Sequence, residues 1–152
     1  MALKVCFVND LGGHTTEALQ VIDAFNDYSK FFIVPHKEVD RSMAIDLPNV
    51  YMIREKKKVI PIPTVPFAEL FKILLKERPD VIISTGSVIA IPAFLIGKII
   101  GAKLIFLESA AQVLTPSRTG KIVYWFADMF FVQWKSLLKS YGKKARYVGG
   151  LI

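Results

Sequence analysis

Short apolar runs rich in β-formers recur along this chain, and between them lie stretches whose apolar residues fall at helical spacing. That alternation leaves few folds open. Residues 3–8, 30–34, 50–53, 81–83, 103–107, 129–132 and 146–148 read as strands, the first of them as a fully buried parallel strand. Helical spacing begins after Thr15 or Thr16, either of which would cap it, and takes in Ala18, Leu19, Val21, Ile22 and Phe25. It returns over 67–78, 89–100 and 135–144, and in a short amphipathic piece ahead of residue 129. Strands alternating with helices imply an α/β chain with a Rossmann-like, mostly parallel sheet and helices on both faces. Pro35 is expected to stop the second strand, residues 36–46 to form a loop or short helix, and the charged run 54–58 to leave the sheet. The prolines at 61, 63 and 66 exclude a regular helix there and point to an extended segment. At 152 residues and 53% hydrophobic, the chain suits one domain, 1–152, with ample core-forming material.

Polar residues stand where several of these strands end, and open parallel sheets bind ligands at that edge. Gly12-Gly13-His14 follows the first strand. Adjacent glycines let backbone amides approach an anion at a helix start, or they simply make a tight turn. His14 is suited to donate to a phosphate or to act as a general base, with a structural cap as the alternative. Glu17, three residues on, completes the pattern of a capping box. Ser84-Thr85-Gly86-Ser87 after the fourth strand is either a ligand loop or a capped helix start. Glu108 closes the fifth strand, where a carboxylate is costly to bury without a partner. Beyond it, Ser117, Arg118, Thr119 and Lys121 are suited to phosphate, and Gln133 and Trp134 end the sixth strand. His14, Ser84, Glu108 and Gln133 thus fall at one predicted sheet edge, and their convergence is a stronger signal than any one alone.

The balance of 20 Lys+Arg against 13 Asp+Glu, net +7, favours acidic partners: anionic membrane, phosphorylated small molecules or nucleic acid. No nucleic-acid motif supports the last. Cys6, the only cysteine, sits in the first apolar run and reads as a small buried hydrophobe. No signal peptide is visible, and the apolar region 88–107, broken by Pro92, Gly97, Lys98, Gly101 and Lys103, reads as a buried helix and strand rather than a membrane span. Within 67–78, Phe67, Leu70, Phe71, Leu74 and Leu75 form an apolar face flanked by Lys72, Lys76 and Arg78. That face either covers the core or lies on a membrane.

Taken together, Gly-Gly-His-Thr-x-Glu, Pro79-Asp80-Val81-x-Ile83-Ser84-Thr85-Gly86, Glu108-Ser109, Thr119-Gly120-Lys121-Ile122-x-Tyr124 with Ala127-Asp128, and Val132-Gln133-Trp134 resemble one family. It is the membrane-anchoring, acceptor-side subunit of the two-chain UDP-N-acetylglucosamine transferase of dolichol-linked oligosaccharide synthesis, with related bacterial exopolysaccharide glycosyltransferase subunits. The resemblance runs over essentially the whole chain. It implies the N-terminal, acceptor-binding lobe of a GT-B glycosyltransferase, inactive alone, that binds a lipid-diphosphate-linked sugar. The UDP-sugar donor would sit on a separate catalytic subunit, with no metal and no tightly bound cofactor in this lobe. The alternative is a non-catalytic membrane scaffold that only recruits that subunit. The location implied is peripheral, on the cytoplasmic face of a membrane: the plasma membrane in a prokaryote, the endoplasmic reticulum in a eukaryote. In family terms His14 or Glu108 is the candidate base. Gly12, Gly13, Thr15, Ser84, Thr85, Gly86, Ser109, Ser117, Arg118, Thr119 and Lys121 would face the acceptor and its diphosphate, and Gln133 and Trp134 the cleft or the partner. The family often carries arginine where Gln112 stands, so Arg118 or Lys121 would take over that phosphate contact.

Overall fold

The computed structural model describes residues 2–36, 47, 49–54 and 67–151. The expectations for 37–46, 55–58 and 60–66 lie outside these. The strands are β1 (Lys4–Val8), β2 (Ser29–His36), β3 (Val50–Arg54), β4 (Val81–Ser84), β5 (Lys103–Leu107), β6 (Met129–Val132) and β7 (Ala145–Tyr147). They form one sheet in the order β3-β2-β1-β4-β5-β6-β7, and every neighbouring pair is parallel. The helices are α1 (Gly13–Val21), α2 (Phe67–Glu77), α3 (Ala90–Ile100), α4 (Arg118–Val123) and α5 (Leu137–Tyr141), with a 3-10 turn, Ile22–Phe25, after α1.

Alternation along β1 shows how the sheet makes two cores. Cys6 and Val8 face the larger one, with Leu70 and Leu74 of α2, Phe94 of α3, Val123 of α4 and Tyr141 of α5. Val5 and Phe7 face the smaller one, with Ala18 of α1. Side chains two apart in a strand share a face, so a continuous apolar run fits a sheet covered on both sides. Cys6 is fully buried, and burial pushes its thiol well above the usual range, as a core hydrophobe should be. At the opposite edge from the strand ends, Asp80 accepts from the Lys4 amide at 2.8 Å and Asp128 from the Leu104 amide at 2.8 Å. Two motif carboxylates therefore pin the starts of β1 and β5.

Some boundaries differ from the sequence reading. Pro35 does not stop β2. The last β1 partner of β2 is Ile33, so Pro35 meets only β3 and its missing N–H costs little. The last helix is five residues rather than the span 135–144, because Gly142, at φ +90°, ends it. Among the described residues, no helix is long and apolar enough to cross a membrane. Leu70 and Leu74 are fully buried, whereas Phe67 and Leu75 are exposed, so the apolar face of α2 divides between the core and the surface.

Candidate functional site

Strand order reverses between β1 and β4, and the chain leaves their C-terminal ends for opposite faces: α1 packs on the smaller core, α3 on the larger. Such a divergence opens a crevice at the strand ends. Asn9 stitches its floor. Its side-chain oxygen accepts from the Thr85 amide at 2.8 Å, with Ser84 Oγ at 3.1 Å and Thr85 Oγ1 at 3.2 Å beside it, their protons directed mainly to the Gly86 and His14 carbonyls. The cleft above has a volume of about 350 Å³ and is walled by Asp10, His14, Gly86, Ser87, Val88, Glu108, Ser109, Ala111, Gln112, Ser117, Arg118 and Thr119.

His14 enters from the first turn of α1. Its Nδ1 lies 3.1 Å from the Thr85 carbonyl oxygen. A carbonyl only accepts, so Nδ1 carries the proton and Nε2 holds the lone pair. The ring packs against Gly86, where a Cβ would overlap it, and Gly86 also takes φ +138°, which L side chains avoid. Glycine is required there by the histidine.

Glu17 does not complete a capping box. Gly12, at φ +109°, is the N-cap of α1, and no side chain caps the helix. The Glu17 carboxylate instead crosses to the β5–α4 loop, accepting from the Ala110 amide at 2.8 Å and Ser109 Oγ at 3.1 Å. Its other oxygen stands 3.9 Å from His14 Nδ1. The neighbouring carboxylate raises the His14 pKa above the ordinary imidazole value, against the lowering effect of burial.

Glu108 is fully buried at the end of β5. One oxygen accepts from Tyr141 Oη, from the Ser117 amide at 3.1 Å and from Ser117 Oγ at 3.0 Å, and the other from the Ser109 amide at 3.1 Å. Burial and the Glu108 contact together push the Tyr141 hydroxyl well above the usual phenol range, so it stays a donor. Ser117 Oγ also accepts from the Gly120 amide at 2.8 Å, capping α4, and a Cβ on Gly120 would collide with Tyr141, Glu108 and Ser117. The carboxylate suspected from sequence has its partners: it fastens both ends of the loop over 109–117.

Of the residues singled out from sequence, the cleft brings together His14, Gly86, Glu108, Ser109, Ser117, Arg118 and Thr119. Others build it from behind. Thr15 donates to the Asp10 carbonyl at 2.8 Å, Thr85 to the His14 carbonyl at 2.6 Å and Ser84 to the Gly86 carbonyl at 2.8 Å. Gln133 donates to the Glu108 carbonyl and Trp134 to the Ala110 carbonyl. Gly12, Gly13 and Lys121 are not in its wall. Sequence reasoning missed Asn9, and it read Glu17 only as a capping partner and Ser87 only as part of the hydroxyl loop over 84–87. Asn9 was legible as one more polar strand end. Ser87 is 8% exposed, its Oγ has no hydrogen-bond partner among the described residues, and it takes φ +89° ahead of α3. Nothing in its sequence context marks that strain.

The strand order and switch-point crevice define a Rossmann-like lobe. MurG from Acinetobacter baumannii matches it with a TM-score of 0.77 at 15% identity, over 97% of this chain and 46% of that one, so the chain spans about half of that protein. The chain belongs to the family described as oligosaccharide biosynthesis protein Alg14 like, whose model matches residues 59–151. It is 31% identical over 170 residues to the UDP-N-acetylglucosamine transferase subunit alg14 of Schizosaccharomyces pombe, covering 91% of this chain and 78% of that protein. It is 28% identical over 184 residues to UDP-N-acetylglucosamine transferase subunit ALG14 of Homo sapiens, covering 99% and 84%.

Proposed function

We propose that this chain is the acceptor-binding subunit of a two-chain UDP-N-acetylglucosamine transferase, completed by a separate subunit that holds the UDP-sugar. The observation that carries this reading is His14, with its Nε2 lone pair at a cleft of about 350 Å³ in a lobe that matches half of a one-chain relative in fold. A lipid-diphosphate-linked sugar would lie with its diphosphate on the β4–α3 loop. There Ser87 Oγ lacks a partner among the described residues and the N-terminus of α3 favours negative charge. Arg118 and Gln112 wall the same cleft, and Arg118 supplies the positive charge where the family often has arginine at 112. His14 Nε2 takes the proton of the acceptor hydroxyl as its oxygen attacks the sugar carbon, and the bond from that carbon to UDP breaks. Glu108 holds the wall in this scheme and moves no proton.

The membrane surface is the outer side of α2, α3 and α4, which pack side by side over the larger core. Phe67 and Leu75 of α2, Leu95 and Ile99 of α3, and Ile122 and Trp125 at α4 are exposed there. Lys72, Lys76, Lys98 and Lys121 lie among them in the sequence. Apolar side chains interspersed with lysine suit an anionic bilayer interface. Such a placement sets the lobe on the membrane as a peripheral subunit beside its lipid acceptor.

The test is reconstitution. The isolated chain should transfer nothing from UDP-N-acetylglucosamine to a lipid-diphosphate acceptor, and adding the donor-binding subunit should restore transfer. Robust transfer by the chain alone would end the two-subunit reading. Full activity of a complex carrying His14→Ala would leave only a scaffold that recruits the catalytic subunit.

A further inference from the structure

We infer that Glu17 is a positioning residue that couples His14 to the β5–α4 loop, one carboxylate oxygen fixing the loop and the other facing the imidazole. The inference rests on the reading of His14 as the base. Glu17 lies one helical turn after His14, so both side chains leave the same face of α1. Two loop donors, the Ala110 amide and Ser109 Oγ, fall on Oε1 and set the plane of the carboxylate. Oε2 is buried, has no hydrogen-bond donor among the described residues, and stands 3.9 Å from His14 Nδ1. A buried carboxylate oxygen without a donor is costly, and it becomes favourable when a cation forms beside it. That cation is the imidazolium produced when Nε2 accepts a proton. The Thr85 carbonyl fixes the tautomer and Glu17 favours the charge, two tasks performed by two groups. Among the described residues, Asp10 of the β1–α1 loop also acts on the ring, and Glu108 and Arg118 are the other charged groups lining the cleft. The β4–α3 loop offers only neutral groups, the Thr85 carbonyl and Ser87.

A purely structural role for Glu17 would require only Oε1. Glu17→Gln separates the two roles, because its amide oxygen still accepts from Ser109 and Ala110 while the charge at His14 is gone. The chain has 2 histidines, so isotope-labelled histidine in the full chain gives two NMR titrations, and His14→Gln assigns them. In the parent chain His14 should titrate above the ordinary imidazole value. In folded Glu17→Gln it should move down, and in the reconstituted complex the acid limb of kcat should move down with it while the KM for acceptor stays within a few fold. An unmoved His14 titration in the folded variant overturns the coupling and leaves Glu17 as a loop clamp. If that variant does not fold, the parent titration decides alone: a His14 value at or below the ordinary one refutes the inference. Full activity of His14→Gln would instead remove the base reading, whatever the titrations show.

Discussion

Glu108→Gln separates two roles that a buried carboxylate beside the cleft can play. In the parent chain Glu108 accepts four hydrogen bonds from Tyr141, Ser117 and Ser109. A glutamine amide keeps one acceptor oxygen. Turned toward Ser117 and Tyr141 it retains three of those bonds, but each loses its charged partner, at about 1 kcal/mol apiece. The amide nitrogen then faces the Ser109 N–H, donor against donor, for about 1–2 kcal/mol more. A neutral amide is cheaper to bury than a carboxylate, which offsets part of this. The balance is a loss of roughly 2–4 kcal/mol, which for a chain of this size lowers Tm by roughly 6–12 °C. Differential scanning fluorimetry of the chain reads the first number, and initial rates of the reconstituted transferase, taken well below the variant's Tm, read the second. An anchor predicts a large drop in Tm with kcat within about tenfold of the parent. A general base predicts the reverse, since losing one costs about 10²–10⁴ in rate. A Tm within about 2 °C of the parent, together with a rate loss beyond 10², would refute the anchoring argument and make Glu108 the base.

Gly86→Ala should lower stability by about 1–2 kcal/mol through its positive φ and displace the His14 ring it touches. A shift of about 1 Å at a reacting group can cost 10²-fold in rate, so the complex should lose activity well beyond its loss of Tm. Leu74→Ala should unfold the chain earlier by about 2–5 kcal/mol, because Leu74 is a core residue, without weakening vesicle flotation of the folded chain. Ile99→Glu with Trp125→Glu should do the opposite: unchanged circular dichroism and reduced flotation on anionic vesicles. Unchanged flotation would rule out that face. The raised His14 pKa also makes stability depend on pH. Folding favours the protonated ring, so this contribution is fully present below the ordinary value near 6.5 and is lost as pH rises through the folded value. The stability gap between parent and Glu17→Gln should therefore be wider at pH 5.5 than at pH 8.5, as urea denaturation can measure.

What the sequence showed and what it hid have physical reasons. Apolar runs flanked by turn-formers give strands directly, and β1 to β6 fall where such runs stand, whereas β7 is the short Ala-Arg-Tyr. The shared edge of His14, Ser84, Glu108 and Gln133 follows from all strands being parallel, since each strand's C-terminal end then lies on one side. Side-chain reach was not legible. Glu17 matches a capping box in spacing, yet Gly12 with positive φ takes the cap and leaves the carboxylate to cross to Ser109 and Ala110. Helical spacing gave α2 an apolar face. The angle at which that face meets the sheet, which buries Leu74 and exposes Phe67, depends on α3 beside it. Glu108 stood out as a costly charge, and its donor Tyr141 lies 33 residues away in sequence on α5, beyond any local pattern. Ser87 belongs to the hydroxyl loop read from sequence, but its strained backbone, at φ +89°, has no local signature.

In the proposed reaction His14 moves the acceptor's proton, and that role has its own assay. It is tested most directly by single-turnover transfer in the reconstituted complex carrying His14→Gln, with acceptor binding measured in parallel. Acceptor affinity should stay within a few fold of the parent, and the transfer rate should fall by about 10²–10⁴. Transfer at the parental rate with acceptor bound would contradict it.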